Sequence, residues 1–312
     1  MVSLAVKYPR RVVTNEDIRR RSPAAGAARP TISTLWAGHR KSEAERGRWA
    51  AAMAPYLADP FRGTVVRRHL DPGETSRSLE VAAAREAIAR SGGDAESIEL
   101  VIAVSFLPDQ VGVGNATFVC GELGLRAAAW NLESACSGTL VAYQTACALI
   151  RAGHFKRILI VASCAYSRYS EDDDTIGWFL GDGAAAMVVA EVPRGEGLLS
   201  QASRHTAELC GTFRFETRAV DGDARFVVRA DASAGRRLAE LQDGYLLGVA
   251  REALARAGVG VDALRLVVFN TPTAWFHDYV AALLEVEPAR TTTTYPQIGN
   301  VGPVLLPANL HH

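Results

Sequence analysis

Residues 84–104 read AREAIARSGGDAESIELVIAV, and residues 250–270 read AREALARAGVGVDALRLVVFN. They align without a gap at a constant offset of 166. Each copy runs from an Ala-rich amphipathic stretch through a Gly-containing stop and an acidic turn into a β-branched run. A chance match over one Ala- and Arg-rich helix is cheap. A match that carries on through the turn into the next strand is not. The pair therefore marks two copies of one helix–strand unit, as in a duplicated α/β fold.

Outward from this pair, the chain continues to alternate. Strand-like runs fall near 99–104, 128–132, 157–163, 184–191, 197–203, 225–230 and 264–270. Helix-like stretches fall near 77–91, 115–123, 137–152, 237–257, 273–284 and 303–310. Such alternation predicts a largely parallel sheet with both faces covered. It divides the chain into an N-terminal half, 1–192, and a C-terminal half, 193–312. Residues 20–62 have no counterpart in the second half and are expected to be an insertion, partly helical, forming a lid or an interface. Carrying 156–191 forward by the same offset places their partners near 322–357, past His312. The C-terminal half is thus expected to be incomplete or abbreviated.

Composition narrows the class. Apolar residues make up 48% and charged residues 22%, as in a soluble globular protein. Acidic and basic residues balance at 34 each, so bulk charge points to neither nucleic acid nor a membrane surface. No apolar run is long enough for a spanning helix, and the early charges Lys7, Arg10 and Arg11 argue against a signal peptide. The five cysteines, Cys120, Cys136, Cys147, Cys164 and Cys210, include no C-x-x-C pair, so no metal site is expected. Their odd, scattered placement suits a reducing cytoplasm.

Cys136 has the most telling context. The segment Asn131-Leu132-Glu133-Ser134-Ala135-Cys136-Ser137-Gly138-Thr139 follows an apolar strand and opens a helix of small residues. At such a junction main-chain N–H groups converge and the helix dipole is positive, which predicts a lowered thiol pKa and a stabilised thiolate. The Cys136 amide is also placed to stabilise an oxyanion on an attacked thioester. The competing expectation is a buried cysteine serving as a small hydrophobe.

Trp130–Thr139 resembles the nucleophile segment of β-ketoacyl-acyl-carrier-protein synthase III, usually D-x-x-A-A-C-S-G. Three further stretches are similar in the same order. Tyr8–Ile18 resembles that family's N-terminal Val-Thr-Asn signature. Gly181-Asp182-Gly183-Ala184-Ala185-Ala186 resembles its G-D-G-A-G-A strand start. Gly299-Asn300 with Gly302 resembles its G-N-T loop, Val301 standing where Thr is usual. The resemblance implies a thiolase fold, a duplicated α/β unit in a five-layered αβαβα arrangement, usually a homodimer. It implies an acyl carrier protein or acyl-coenzyme A thioester as substrate partner and no tightly bound cofactor.

In the repeat alignment Asn300 lies opposite Ser134 and Gly302 opposite Cys136, which turns the 299–302 loop toward the Cys136 loop. Asn270 ends its strand as Val104 ends the first, so both should face one cleft at the strands' carboxyl ends. The resemblance implies a Cys-His-Asn site, with Asn300 as its Asn. The family's His falls in an H-Q-A-N segment that here reads Asn270-Thr271-Pro272-Thr273. Asn270 can donate through its amide but cannot take a proton from Cys136. The catalytic set expected is therefore Cys136, Asn300 and Asn270. Its expected chemistry is acyl transfer through a Cys136 thioester, forming a carbon–carbon or carbon–heteroatom bond in a specialised polyketide or fatty-acid-derived pathway. The alternative is a non-catalytic partner subunit of another ketosynthase. His277, next to Asp278, is a weaker candidate partner for Cys136; His39, His69, His154 and His205 are taken as structural. Trp275 stands where the family often has an Arg that contacts the carrier's phosphopantetheine or the coenzyme A phosphate.

Overall fold

A computed structural model describes residues 1–22, 47, 51–56, 58–170, 175–193, 195–220, 223–231 and 233–312. Most of the 20–62 insertion lies outside the described residues. Of the part inside, Met53 is buried against Tyr279, Val280 and Leu283.

The first copy of the repeat forms the centre of the molecule. Its helix, α2 (Ser76–Arg90), starts from a capping box in which Thr75 and Ser78 satisfy each other's main-chain N–H groups. (Helix α1 is Asn15–Arg21, with its own capping box on Thr14 and Asp17.) Past Gly92, in the left-handed conformation, a 3₁₀ turn at Ala95–Ser97 leads into β4 (Leu100–Phe106). The second copy repeats these features at the same offset. Helix α5 (Ala234–Ala257) ends at left-handed Gly258, and a 3₁₀ turn follows at Val261–Ala263.

The two copies diverge in their strands. Strand β4 lies inside a five-stranded sheet of order β1-β7-β6-β4-β5, with β1 at Ser3–Lys7, β5 at Ala128–Asn131, β6 at Arg157–Ala165 and β7 at Asp182–Ala190. The 264–270 stretch makes one parallel bridge, Val267 to Thr291, and Leu266 is exposed. A ladder needs a neighbour along its whole length, and none flanks the rest of this stretch among the described residues. The 197–203 stretch is also not a strand. Its carbonyls are taken by side chains instead: Arg151 bonds Leu198 O, and Arg256 bonds Gln201 O at 2.8 Å. The 225–230 run lies in β9 (Asp223–Ala230), paired with β8 (Phe213–Val220) in a two-stranded ribbon. Strands β2 (Arg11–Thr14) and β3 (Val66–His69) form a second small ribbon.

The expected parallel sheet is mixed. Strands β5, β4 and β6 are parallel, joined through α3 (Ala116–Leu123) and α4 (Gly138–Arg151). Strand β7 is antiparallel to both β6 and β1. Alternate residues face opposite layers. Leu100, Ile102, Val104, Ile160 and Ala162 share a core with Ala142 and Ala146 of α4. Val101, Ala103, Leu159 and Val161 share the other with Ala83, Ala84 and Ala87 of α2 and Val119 of α3. Gly138, Ala142 and Ala146 make one small-residue stripe that lets α4 approach the sheet closely. A β-carbon on Gly138 would lie 2.4 Å from Val104 Cγ1.

The second core encloses one carboxyl group. Glu80 accepts from Ser105 at 2.6 Å, Ser163 at 2.5 Å and Asn115 at 2.9 Å. Burial nevertheless pushes its pKa from 4.5 up to about 7. The folded pKa lies above the unfolded one, so this group's contribution is full below 4.5 and is lost as the pH rises through about 7. Wild type should lose about 2–3 kcal/mol from this source across that window, and Glu80→Gln should not. Denaturant titrations of both proteins at pH 4.5 and pH 8 check it: equal pH slopes would contradict the assignment.

Candidate active site

Strands β4, β5 and β6 all end at the same edge of the sheet, and Cys136 lies just past the end of β5. Asn131 closes that strand by accepting from Ala116 N at 3.1 Å and donating to Val113 O at 2.8 Å. Leu132 N still reaches Ala103 O, at 2.9 Å. The chain then turns sharply. Ala135 is forced to φ 45°, a left-handed conformation that costs an alanine roughly 1–2 kcal/mol. Glu133 helps to hold it there by accepting from Ala135 N at 2.6 Å. A 3₁₀ turn, Ala135–Ser137, runs directly into α4 and leaves Cys136 half-buried at the helix mouth. Strain of this kind concentrates where a side chain must be aimed.

The opposing wall comes from α6 (Tyr295–Ile298), a 3₁₀ turn at Gly302–Val304, and α7 (Leu305–His311). A 3₁₀ turn opening a helix thus recurs here, close to the repeat offset from the Cys136 turn. The two walls are fastened together. Thr139 Oγ1 donates to Pro303 O at 2.7 Å, and Asn270 Nδ2 donates to Gly302 O at 3.0 Å and to Cys136 O at 3.4 Å. Asn309 Nδ2 holds the residues on either side of Asn270, donating to the main-chain Phe269 O at 2.9 Å and to the side-chain Thr271 Oγ1 at 3.0 Å.

The glycine-rich motifs interlock at this wall. Asn300 N donates to Phe179 O and Gly181 N to Asn300 O, each at 2.8 Å. A β-carbon on Gly181 would stand 2.2 Å from Ile298 O, and one on Gly299 would stand 2.7 Å from Phe179 O. Asp182 ties the start of β7 to neighbouring loops by accepting from Leu70 N and Ser167 N, both at 2.8 Å. Asn300 Oδ1 accepts from Gly302 N at 2.9 Å, so its amide nitrogen is the end not committed to the turn.

The three residues expected from sequence therefore have different placements. Cys136 and Asn270 are in contact, and Asn300 shapes the turn that meets them. Asn270 spends its amide on two main-chain carbonyls, which makes it a brace between the walls. The expected lowering of the Cys136 pKa is not found. Burial pushes the thiol up, the charge of Glu133 adds to this, and the Tyr166 hydroxyl pulls the other way. A helix dipole supplies about 0.3–1 kcal/mol, less than the removal of a thiolate from water costs.

His277 is engaged elsewhere. Its Nδ1 pairs with Asp278 at 2.9 Å and its Nε2 with Thr291 Oγ1 at 2.5 Å. His69 is buried at 3.3 Å from Leu180 O, and its pKa falls to about 4. His39 lies outside the described residues. Trp275 packs against Phe276 and Tyr279 in the cluster that includes Met53.

Tyr166, which follows β6, was not anticipated from the sequence. It is buried, its ring meets Phe106 edge-on at 5.5 Å, and its hydroxyl is the neighbouring group that most opposes the rise of the Cys136 pKa. The signal that picked out Asn270, a polar group at a strand's carboxyl end, applies equally to Tyr166.

Fold and site together define a thiolase-fold protein with a cysteine at a helix mouth. The family profile for 3-oxoacyl-[acyl-carrier-protein] synthase III matches residues 130–206, the stretch that carries Cys136, β6 and β7. β-Ketoacyl-[acyl-carrier-protein] synthase III of Rhodospirillum rubrum is 31% identical over 258 residues, 80% of this chain and 78% of the relative. The chain belongs to the β-ketoacyl-acyl-carrier-protein synthase III family of acyl-transferring condensing enzymes. Among solved structures, the synthase III of Thermus thermophilus matches with a TM-score of 0.81 at 22% identity, over 100% of this chain and 88% of that one. A priming β-ketosynthase of a polyketide biosynthetic pathway matches with a TM-score of 0.76 at 21% identity, over 99% and 85%. Among the described residues, no helix is long and apolar enough to cross a membrane.

Proposed function

We propose that this chain transfers acyl groups through a thioester on Cys136 Sγ. The donor is the phosphopantetheine thioester of an acyl carrier protein or an acyl-coenzyme A, within a specialised polyketide or fatty-acid-derived pathway. The observation that carries this reading is Cys136 at the mouth of α4, on a strained turn clamped to the Gly302–Val304 wall. The Cys136 thiolate attacks the donor's carbonyl carbon, the oxyanion collapses, and the donor's thiolate leaves with a proton taken from solvent.

The second half-reaction is constrained by Asn270. With its amide committed to Gly302 O and Cys136 O, the Asn300 amide nitrogen is the side-chain donor left for a malonyl carbonyl. Removing one such donor costs about 2.7–4 kcal/mol of transition-state stabilisation. Transfer to a hydroxyl, an amine or an already activated carbon suits this site better than decarboxylative condensation. A non-catalytic partner subunit is the second reading, and the upward shift of the Cys136 thiol pKa favours it.

Iodoacetamide labelling of the Cys136 peptide, with and without an acyl-coenzyme A, separates the two. Substrate protection supports acyl transfer, and unchanged labelling supports the partner subunit. Release of labelled CO2 from malonyl-carrier protein would show that Asn300 alone sustains decarboxylation. We also infer a homodimer: β5 is a sheet edge, and Trp130, Val111, Val113 and Leu140 around it are exposed. Sedimentation at a twofold mass supports this, and a monomer opposes it.

A further inference from the structure

We propose that Asn309 is a positioning residue for the reaction: its side-chain amide sets Asn270, and through Asn270 the spacing of the Cys136 turn from the wall opposite. This rests on Cys136 being the acyl-carrying group.

The need for such a residue follows from the repeat. Ala103 and Phe269 are equivalent at the offset of 166. In the first copy Ala103 O accepts from Leu132 N at 2.9 Å, and β4 is paired along its length with β6. In the second copy the 264–270 stretch makes a single bridge among the described residues, at Val267. Phe269 O is met instead by Asn309 Nδ2, at 2.9 Å. A side chain thus holds this strand end where a neighbouring strand segment holds its counterpart.

The amide is committed at both ends, and its orientation is forced. Asn309 Oδ1 accepts from Thr294 N at 2.8 Å and from Thr294 Oγ1 at 2.7 Å, while Nδ2 donates to Phe269 O and, at 3.0 Å, to Thr271 Oγ1. A main-chain N–H only donates and a main-chain carbonyl only accepts, so a flipped amide would lose both. Asn309 and Thr271 are 1% and 0% exposed, so a broken bond here leaves a polar group without water to replace it. Three pieces of the wall meet on this one side chain. They are the strand end that carries Asn270, Thr294 at the start of α6, and α7, which carries Asn309 and follows the Gly302–Val304 turn directly. Thr293 Oγ1 adds a further tie, donating to Thr271 Oγ1 at 3.2 Å.

Asn270 stands between the two residues that Asn309 holds. Its Nδ2 reaches Gly302 O at 3.0 Å and Cys136 O at 3.4 Å. The second of these is at the long end for such a bond, so a small shift of the strand end breaks it first. Asn309 therefore acts on the Cys136 turn through Asn270.

The test is a double-mutant cycle. Acylation of Cys136 is followed by intact mass over a range of acyl-coenzyme A concentrations in wild type, Asn309→Ala, Asn270→Ala and the double variant, beside an unfolding curve for each. Asn309→Ala should lower the saturating acylation rate about 10- to 100-fold, the scale of a misplacement of about 1 Å, and leave half-saturation within about twofold of wild type. The double variant should match Asn270→Ala within about twofold, because both changes break one link. Losses that multiply in the double variant overturn the proposal, and so does an Asn309→Ala effect confined to stability or to half-saturation. Should Asn309→Ala not fold, Thr271→Val, which removes one bond beside Asn270 at nearly constant shape, takes its place in the cycle. A loss of about threefold or more that disappears in the Asn270→Ala background supports the proposal, and an additive loss or none overturns it. If wild type never acquires an acyl group on Cys136, the acyl-transfer reading fails separately. The same cycle read from Cys136 alkylation by iodoacetamide then decides the coupling: non-additive rates support it, and additive rates overturn it.

Discussion

Cys136→Ala should reduce acyl-transfer turnover by about 10⁴-fold or more, the scale at which removal of a covalent nucleophile registers. No neighbouring group can replace it. Cys164 is fully buried, and burial holds its thiol well above the ordinary range. His277 is tied to Asp278 and Thr291. Ser134 and Ser137 bond each other at 3.0 Å, and Ser137 Oγ also donates to Ser134 O at 2.8 Å. The fold should survive, because a half-buried thiol is exchanged for a methyl group on a turn held by Glu133, Thr139 and Asn270. Turnover with an acyl-coenzyme A or acyl-carrier substrate, beside a thermal unfolding curve, checks both halves. Cys210→Ala, which changes an exposed thiol, is the matched control and should keep full activity.

Gly181→Ala should cost about 3 kcal/mol or more of stability and slow acylation. The new β-carbon would lie 2.2 Å from Ile298 O, a backbone atom with no rotamer by which to move aside. Relief requires separating the Gly181-Asp182-Gly183 segment from the 298–302 loop, which breaks the Gly181 N to Asn300 O bond and shifts the wall facing Cys136. Gly121→Ala is the contrast. It lies on the exposed face of α3 with nothing within 4 Å of a β-carbon, so it should be neutral or stabilising by up to about 1 kcal/mol. Chemical denaturation of the two variants, with acylation rates, tests whether the glycine motif is needed for docking. Equal stability of both would show that it is not.

The fold was legible where local chemistry determines it. The repeat at offset 166 brings with it a left-handed glycine and a 3₁₀ turn in both copies, because those features depend on residues within a few positions. Strand pairing does not share that locality. The 264–270 run has the composition of β4 but forms a single bridge, since a ladder depends on what lies alongside. The direction of β7 was invisible for the same reason.

The site was half legible. A cysteine between an apolar strand and a helix of small residues can be read from sequence, and so can a loop turned toward it by pseudo-symmetry. What Asn270 does with its amide could not be read, because that depends on the Cys136 and Gly302 carbonyls closing around it. The sign of the Cys136 shift was misjudged because the helix dipole can be read from the sequence, whereas the burial of the sulfur in the folded chain cannot.

The central claim is that Cys136 carries the acyl group. Incubation of the protein with an isotopically labelled acyl-coenzyme A or acyl-carrier thioester, followed by intact mass and peptide mapping, measures this directly. The account predicts one acyl mass per chain, on the Cys136 peptide, lost on treatment with hydroxylamine and absent from Cys136→Ala. Unmodified wild type, or the same adduct on Cys136→Ala, would contradict it.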